Sequence, residues 1–313
     1  MPTYTCLFHE AASVGRYDRL RHIPHHTLDA CARAALAGVG RGGRPVRLLD
    51  AGAGTGRFLT PIANACRHDR AAAHLVALDL SRAMLHALQQ QTSGYAPPDR
   101  VTVTAIQADL QDPLPFGPGT FDVVLTAATF HILARWRDAA DGMIEALTLG
   151  GRLVVIAESN QFMHQTEGFS RDADLDRLDP VLSAFMQHYH WLRNAYGHPY
   201  QPSEVRYSDM SALLEHVQER GLRPLAVPAS QAALRWGKTH CYADILHCFR
   251  HRQMTTWGSE LPEPVRQRIA DALEAWVAAH GIDPTEEFHL PAELVPHVFL
   301  KPGRHPHEVS CGS

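Results

Sequence analysis

Short apolar runs and helical stripes alternate through the first half of the chain. The runs at 45–50 (PVRLLD), 74–79 (HLVALD), 101–106 (VTVTAI) and 121–126 (FDVVLT) are leucine-rich or β-branched and bounded by turn residues. That is the mark of buried strands. A fifth run, RLVVIAE at 152–158, is launched by Gly150 and Gly151. Between the runs lie helical stretches at about 57–68, 82–91 and 138–148. Strands alternating with helices predict parallel β-α-β units in a doubly wound sheet.

The second half is mainly helical. Asp179 followed by Pro180 reads as a cap and first helical position. Leu178, Leu182, Phe185, Tyr189, Leu192 and Tyr196 then recur every three or four residues, and Gly197 stops the helix. Ser208 is placed to cap a helix with Met210, Leu213, Leu214 and Val217, and LRPLAVP at 222–228 reads as a strand. Thr239 is placed to cap a helix with Tyr242, Ile245, Leu246 and Phe249 on one face. Val265, Ile269, Leu273 and Trp276 form a further stripe. ELVPHVFLK at 293–301 suits a last strand, with Pro296 at an edge or bulge.

Composition narrows the function classes. A 45% hydrophobic fraction supports a sizeable core. No 18-residue apolar run suggests a membrane span, and the first fifteen residues lack the basic and apolar regions of a secretory signal. Six scattered cysteines without a CxxC pair give neither a disulfide framework nor a zinc knuckle. A reducing cytoplasm is the expected location. The net charge of -4 weighs against a nucleic-acid partner. Only Lys238 and Lys301 are lysines among 29 basic residues, which reads as codon bias. Of the histidine-rich stretches, Asp244, Cys248 and His251 share a helix face but span too far along its axis to grip one ion. No metal site is expected. A homodimer is compatible with the sequence.

The strongest chemical signal is LLDAGAGTGRF at 48–58. A strand ends in Asp50, and Gly52, Gly54 and Gly56 follow at every second position before a helix. Glycines are needed where backbone turns sharply and approaches a ligand with no Cβ in the way. A dinucleotide site has the spacing G-x-G-x-x-G. Here the spacing is G-x-G-x-G, with an acid two residues before it.

These residues resemble the class I S-adenosylmethionine (SAM)-dependent methyltransferases, and later motifs follow in that family's order. Asp79 ends the second strand, where the family's acid holds both ribose hydroxyls; Leu80 and Met84 match positions flanking the adenine. Asp109 follows the third strand, where its counterpart accepts from the adenine amino group, and Leu110 offers a backbone N–H. Thr126 and Ala127, after the fourth strand, match positions near the methionine moiety, with His131 beyond. The resemblance covers about 45–160 well and resumes weakly at 208–228 and 293–301. Upstream, 15–31 resembles the Tyr-x-x-x-Arg segment of many small-molecule members, whose tyrosine and arginine approach the cofactor's carboxylate end. Tyr17 and Arg21 stand there, with His22 replacing the usual proline.

The resemblance implies a Rossmann-like sheet of seven strands, mostly parallel with the last antiparallel, and helical lid insertions. It implies SAM as cofactor and methyl transfer to a small-molecule acceptor by in-line displacement. The expected layout is an N-terminal helical segment at 1–44, a SAM-binding core at 45–158, a substrate lid at 159–207, the rest of the sheet at 208–301 with a helical insertion at about 238–290, and a loose tail at 302–313. Ser159, Asn160 and Gln161 are expected to hinge the lid. His131 is a candidate base, and His164 and His190 are candidates on the substrate side. The fourth strand lacks the Asn/Asp-Pro-Pro-Tyr signature of amino methylation on adenine or glutamine. A methyltransferase acting on RNA or protein, a SAM fold used for another reaction, and a non-catalytic partner remain alternatives.

Overall fold

The computed structural model describes residues 14, 18, 22–40, 44–93, 100–160, 180–199, 210–226, 231–251 and 261–303. Eight strands form one sheet among them. They are β1 (Val46–Ala51), β2 (Ala73–Asp79), β3 (Val101–Gln107), β4 (Phe121–Ala127), β5 (Leu147–Asn160), β6 (Arg223–Leu225), β7 (Arg235–His240) and β8 (Phe288–Leu300). The order is β3-β2-β1-β4-β5-β8-β6, and β7 pairs β8 from the side. β1 through β5 run parallel, whereas β8 is antiparallel to β5, β6 and β7.

The fold class expected from the sequence is therefore present, with one strand added. β4 is buried along nearly its whole length and β1 at all but one position, because helices cover both faces of a parallel sheet. This is why these strands read as continuous apolar runs. β3, at the edge, is buried only at Val101 and otherwise mixes half-buried with exposed positions.

Four helices accompany the parallel half: α1 (His25–Leu36), α2 (Leu59–His68), α3 (Arg82–Thr92) and α4 (Trp136–Ala146). α1 and α2 cover one face, joined by Leu48, Leu75, Leu125 and Ile156 from the sheet. α4 covers the other with Leu49, Leu78, Val124 and Val155. Alternate residues of each strand supply the two cores. Lys301 donates to the carbonyls of Ile144 and Leu147 at 2.8 Å each, satisfying acceptors that the end of α4 leaves open.

The remaining helices are α5 (Pro180–Ala195), α6 (Ser211–Glu219), α7 (Gln231–Leu234), α8 (Tyr242–Arg250) and α9 (Glu263–Ala279). Leu182, Phe185, Tyr189 and Leu192 of α5 pack against Ile245 and Phe249 of α8 and Ile269 and Leu273 of α9. Segments expected to be a lid and a separate insertion thus share one core.

Three local expectations differ. Thr239 lies in β7, and α8 is capped by Cys241, whose Sγ accepts from the Asp244 N–H at 3.4 Å. Ser159 and Asn160 are not a hinge: β5 continues through both, opposite Glu293 and Ala292. Pro296 is in an interior strand, opposite Ile156. It falls where the outer side of β8 is paired with neither β7, which ends at Glu293, nor β6, which starts at Val298, so a missing N–H is tolerated. Gln161 and Ser208 lie outside the described residues.

Candidate functional site

From β1 the chain builds outward to β3, then returns to place β4 on the other flank of β1. Such a switch opens a crevice at the carboxyl ends of the strands. The glycine loop lies in it. Gly52, Gly54 and Gly56 all have positive φ, at 83°, 54° and 85°, a region that residues with a Cβ rarely adopt.

The three glycines answer to different neighbours. A Cβ on Gly52 would stand 2.4 Å from Thr129 Oγ1, and one on Gly56 would stand 2.9 Å from the Leu88 side chain. Those two let the loop pack on the β4 turn and on α3. Among the described residues, a Cβ on Gly54 would meet nothing within 4 Å. Its bareness serves the open space in front of it.

The Gly54 N–H donates to Asp79 Oδ2 at 2.8 Å, and the Ser81 N–H donates to Asp79 Oδ1 at 2.8 Å. The carboxylate that ends β2 is thus fixed beside the loop. A carboxylate has about four acceptor sites, so two backbone bonds leave capacity for a ligand. Asp50 is 2% exposed, and its Oδ2 has no hydrogen-bond partner among the described residues. Burial, aided by the nearby Asp79 charge, pushes its acid up to about 8. A buried orphan acceptor is costly, and its presence here marks a place where a donor or cation fits.

The other positions expected at the site fall as follows. Leu80 is exposed just after β2, whereas Met84 is buried in the first turn of α3 with its N–H donated to Ser81 Oγ. Asp109 Oδ1 accepts from the Gln111 N–H at 2.9 Å. Leu110 is buried in the core beneath. Thr126 is buried on β4, and its Oγ1 has no hydrogen-bond partner among the described residues. His131 is half-buried in a short 3-10 turn at Phe130–Ile132. His190, on α5, is in contact with the Tyr189 ring at 5.3 Å and is not among the residues lining the clefts below. Tyr17, Arg21 and His164 lie outside the described residues.

A solvent-open cleft of about 490 Å³ lies before the loop, lined by Gly54, Thr55, Arg57, Phe58, Ala128 and Glu158 among others. A second cleft of about 250 Å³ is lined by Thr126, Thr129, His131, Glu158 and Met210. Ala128, Ile156 and Glu158 line both. Ala128 holds φ 52°, a strained value for a residue with a Cβ.

Sequence reasoning missed three groups here. Asp18 Oδ1 accepts from Thr55 Oγ1 at 2.9 Å and from Arg57 Nη2 at 2.8 Å, tying the N-terminal segment to the glycine loop. Glu158, at the carboxyl end of β5, forms an ion pair with Lys238 of β7. The signal for Glu158 was present: like Asp50 and Asp79, it is an acid closing an apolar strand.

The fold is that of the class I SAM-dependent methyltransferases. Residues 49–153, about a third of the chain, match the family model described as a methyltransferase domain. The chain is similar in structure to a Bacillus halodurans C-125 protein described as a candidate methyltransferase. The TM-score is 0.51 at 16% identity, covering 87% of this chain and 98% of that one. It is also similar to the YcgJ protein of Bacillus subtilis, with a TM-score of 0.50 at 18% identity, covering 89% and 99%. At these identities the likeness is one of fold. No curated protein matches the sequence.

Proposed function

We propose that this enzyme binds SAM across the glycine loop and transfers its methyl group to a small-molecule acceptor held beneath the helical cap. The observation that carries the reading is Gly54. Its left-handed backbone, its N–H bond to Asp79 and the open space before it make a cradle that a side chain would fill. Asp79 has acceptor capacity for a ribose diol, and Asp50 offers a buried oxygen to a cationic or N–H-bearing group. Thr126 presents a buried hydroxyl. Asp109, Leu80, Met84 and Leu110 are assigned to the adenine side on the resemblance of their motifs, and Tyr17 and Arg21 to the carboxylate end on the same ground.

When bound, SAM supplies an electrophilic methyl on a sulfonium that is its own leaving group. The chain's task is then to place the acceptor in line and exclude water. A small acceptor is supported by the cap. Ala128, which lines both clefts, also packs against the rim of the α5–α8–α9 core, so the helices adjoin the space where an acceptor would sit. His131, lining the second cleft, is the candidate to accept a proton there.

The test is calorimetric titration of SAM into wild type and Gly54→Ala. Wild type should bind, and the variant should lose at least about tenfold in affinity, or 1.4 kcal/mol, while still unfolding cooperatively. Equal affinity in a folded variant would refute the assignment of the loop.

A further inference from the structure

We infer that Glu158 is the group that receives a hydrogen-bond-donating or cationic part of the methyl acceptor, and that Lys238 is its positioning residue. This rests on the proposed function above. Glu158 lines both clefts, and its side chain is 7% exposed. Of the ion pair, only Glu158 lines either cleft, and Lys238 does not. What a ligand meets is therefore an acceptor-only carboxylate, with the ammonium on another strand beside it.

The register shows how the pair is made. β5, β8 and β7 run on together past the regular end of the sheet, with Glu158 opposite Leu294 and Lys238 opposite Leu290. Residues two apart on a strand share a face. Trp236, opposite Ala292, and Lys238 therefore lie on the same face as Leu294, Ile156 and Glu158. Ile156 and Leu294 line the larger cleft. The Lys238 Nζ is 5.5 Å from the Trp236 ring centre, which steadies it. Thus β7, the strand beyond the expected seven, carries one of only two lysines to an acid at the cleft.

Burying a carboxylate alone is costly, and a paired ammonium offsets that cost and keeps the ionised form. The other titratable groups around it are His131 in the second cleft, His240 two residues along β7, and Glu293 and His297 on β8. Glu293 is paired with Arg235 at 3.2 Å. Burial holds His240 and His297 below the ordinary histidine range, so neither supplies a competing positive charge at neutral pH.

The experiment uses three probes of one shape: benzylamine, benzyl alcohol and benzoate. Each is titrated by ligand-observed NMR into full-length enzyme saturated with S-adenosylhomocysteine. Wild type should prefer benzylamine over benzoate by about tenfold or more, with benzyl alcohol between. Glu158→Gln should abolish that preference without changing affinity for S-adenosylhomocysteine. Lys238→Met should make benzylamine binding rise with pH between 6 and 8, because a buried carboxyl that loses its ammonium neighbour holds its proton more tightly. Lys238→Arg should restore a flat profile. Preference for benzoate, no preference among the three, or a flat profile in Lys238→Met would each overturn the inference. So would a Glu158→Gln effect on S-adenosylhomocysteine alone. Failure of wild type to bind S-adenosylhomocysteine would instead overturn the proposed function.

Discussion

Replacing Asp50 with asparagine should change how stability depends on pH. Asp50 is 2% exposed, and burial with the Asp79 charge raises its acid from the usual 3.8 to about 8. Between those values the folded chain keeps this proton and the unfolded chain has lost it. The stability tied to Asp50 is therefore full below about pH 4 and drains as pH rises towards 8. The limiting slope is about 1.4 kcal/mol per pH unit, flattening near 8, so about 1.5 kcal/mol is lost between pH 6.5 and 8.

The assay is urea unfolding of ligand-free wild type and Asp50→Asn at half-unit steps across that window. His240, held down to about 4 mainly by burial, has the opposite sign: its contribution is lost as pH falls below 6.5. It is common to both proteins and cancels in their difference. Wild type should lose about 1.5 kcal/mol relative to the variant from pH 6.5 to 8. Parallel curves would refute a protonated Asp50. With SAM, binding at pH 7 should release a proton in wild type and none in the variant. Calorimetry in buffers of different ionisation heat counts it.

Three further outcomes follow from single contacts. Gly52→Ala should lower stability by about 2 kcal/mol, from left-handed backbone and the clash with Thr129, read as a fall in Tm that the more open Gly54 site shows less strongly. Asp79→Ala should weaken SAM by about tenfold or more, through loss of charged acceptors and of the bond fixing Gly54, as calorimetry will show. Lys301→Met should cost about 1 kcal/mol by uncapping α4 and leave SAM affinity unchanged, checked by denaturation and titration together.

What the sequence disclosed follows from how each element is buried. β1 and β4 lie between two covered faces, so their apolar runs were unmistakable. The glycine loop was legible because positive backbone angles require that residue type. β7 was not legible: RWGKTH is six residues with a polar, half-buried face, and among the described residues its strand pairing is with β8 alone. The early part of β8 was hidden by Pro291, where only β7 pairs with the strand, and by Pro296, which lies in the gap between the β7 and β6 ladders. The lysine bias misled in a specific way. A genome that writes arginine leaves the two lysines as exceptions, and both serve sites that favour a compact ammonium: Lys301 among three carbonyls and Lys238 beside Glu158. Their partners lie 154–157 and 80 residues away, beyond any local pattern.

The cap shows why long-range pairing matters to the chemistry. α5 follows β5 in sequence, whereas α8 and α9 lie between β7 and β8, yet the three share one apolar core. Neither segment buries its apolar stripe alone, so they are stable only together. α8 follows directly on β7, with Cys241 as the cap between them. The strand that carries Lys238 is therefore anchored at one side by its ladder to β8 and at its end by the cap. Movement of the cap that strained β7 would act on the Glu158 pair, while the glycine loop, held by β1, β2 and Asp18, would be left in place. On the proposed reading, the architecture thus separates a cofactor side built on the parallel strands from an acceptor side coupled to the cap helices.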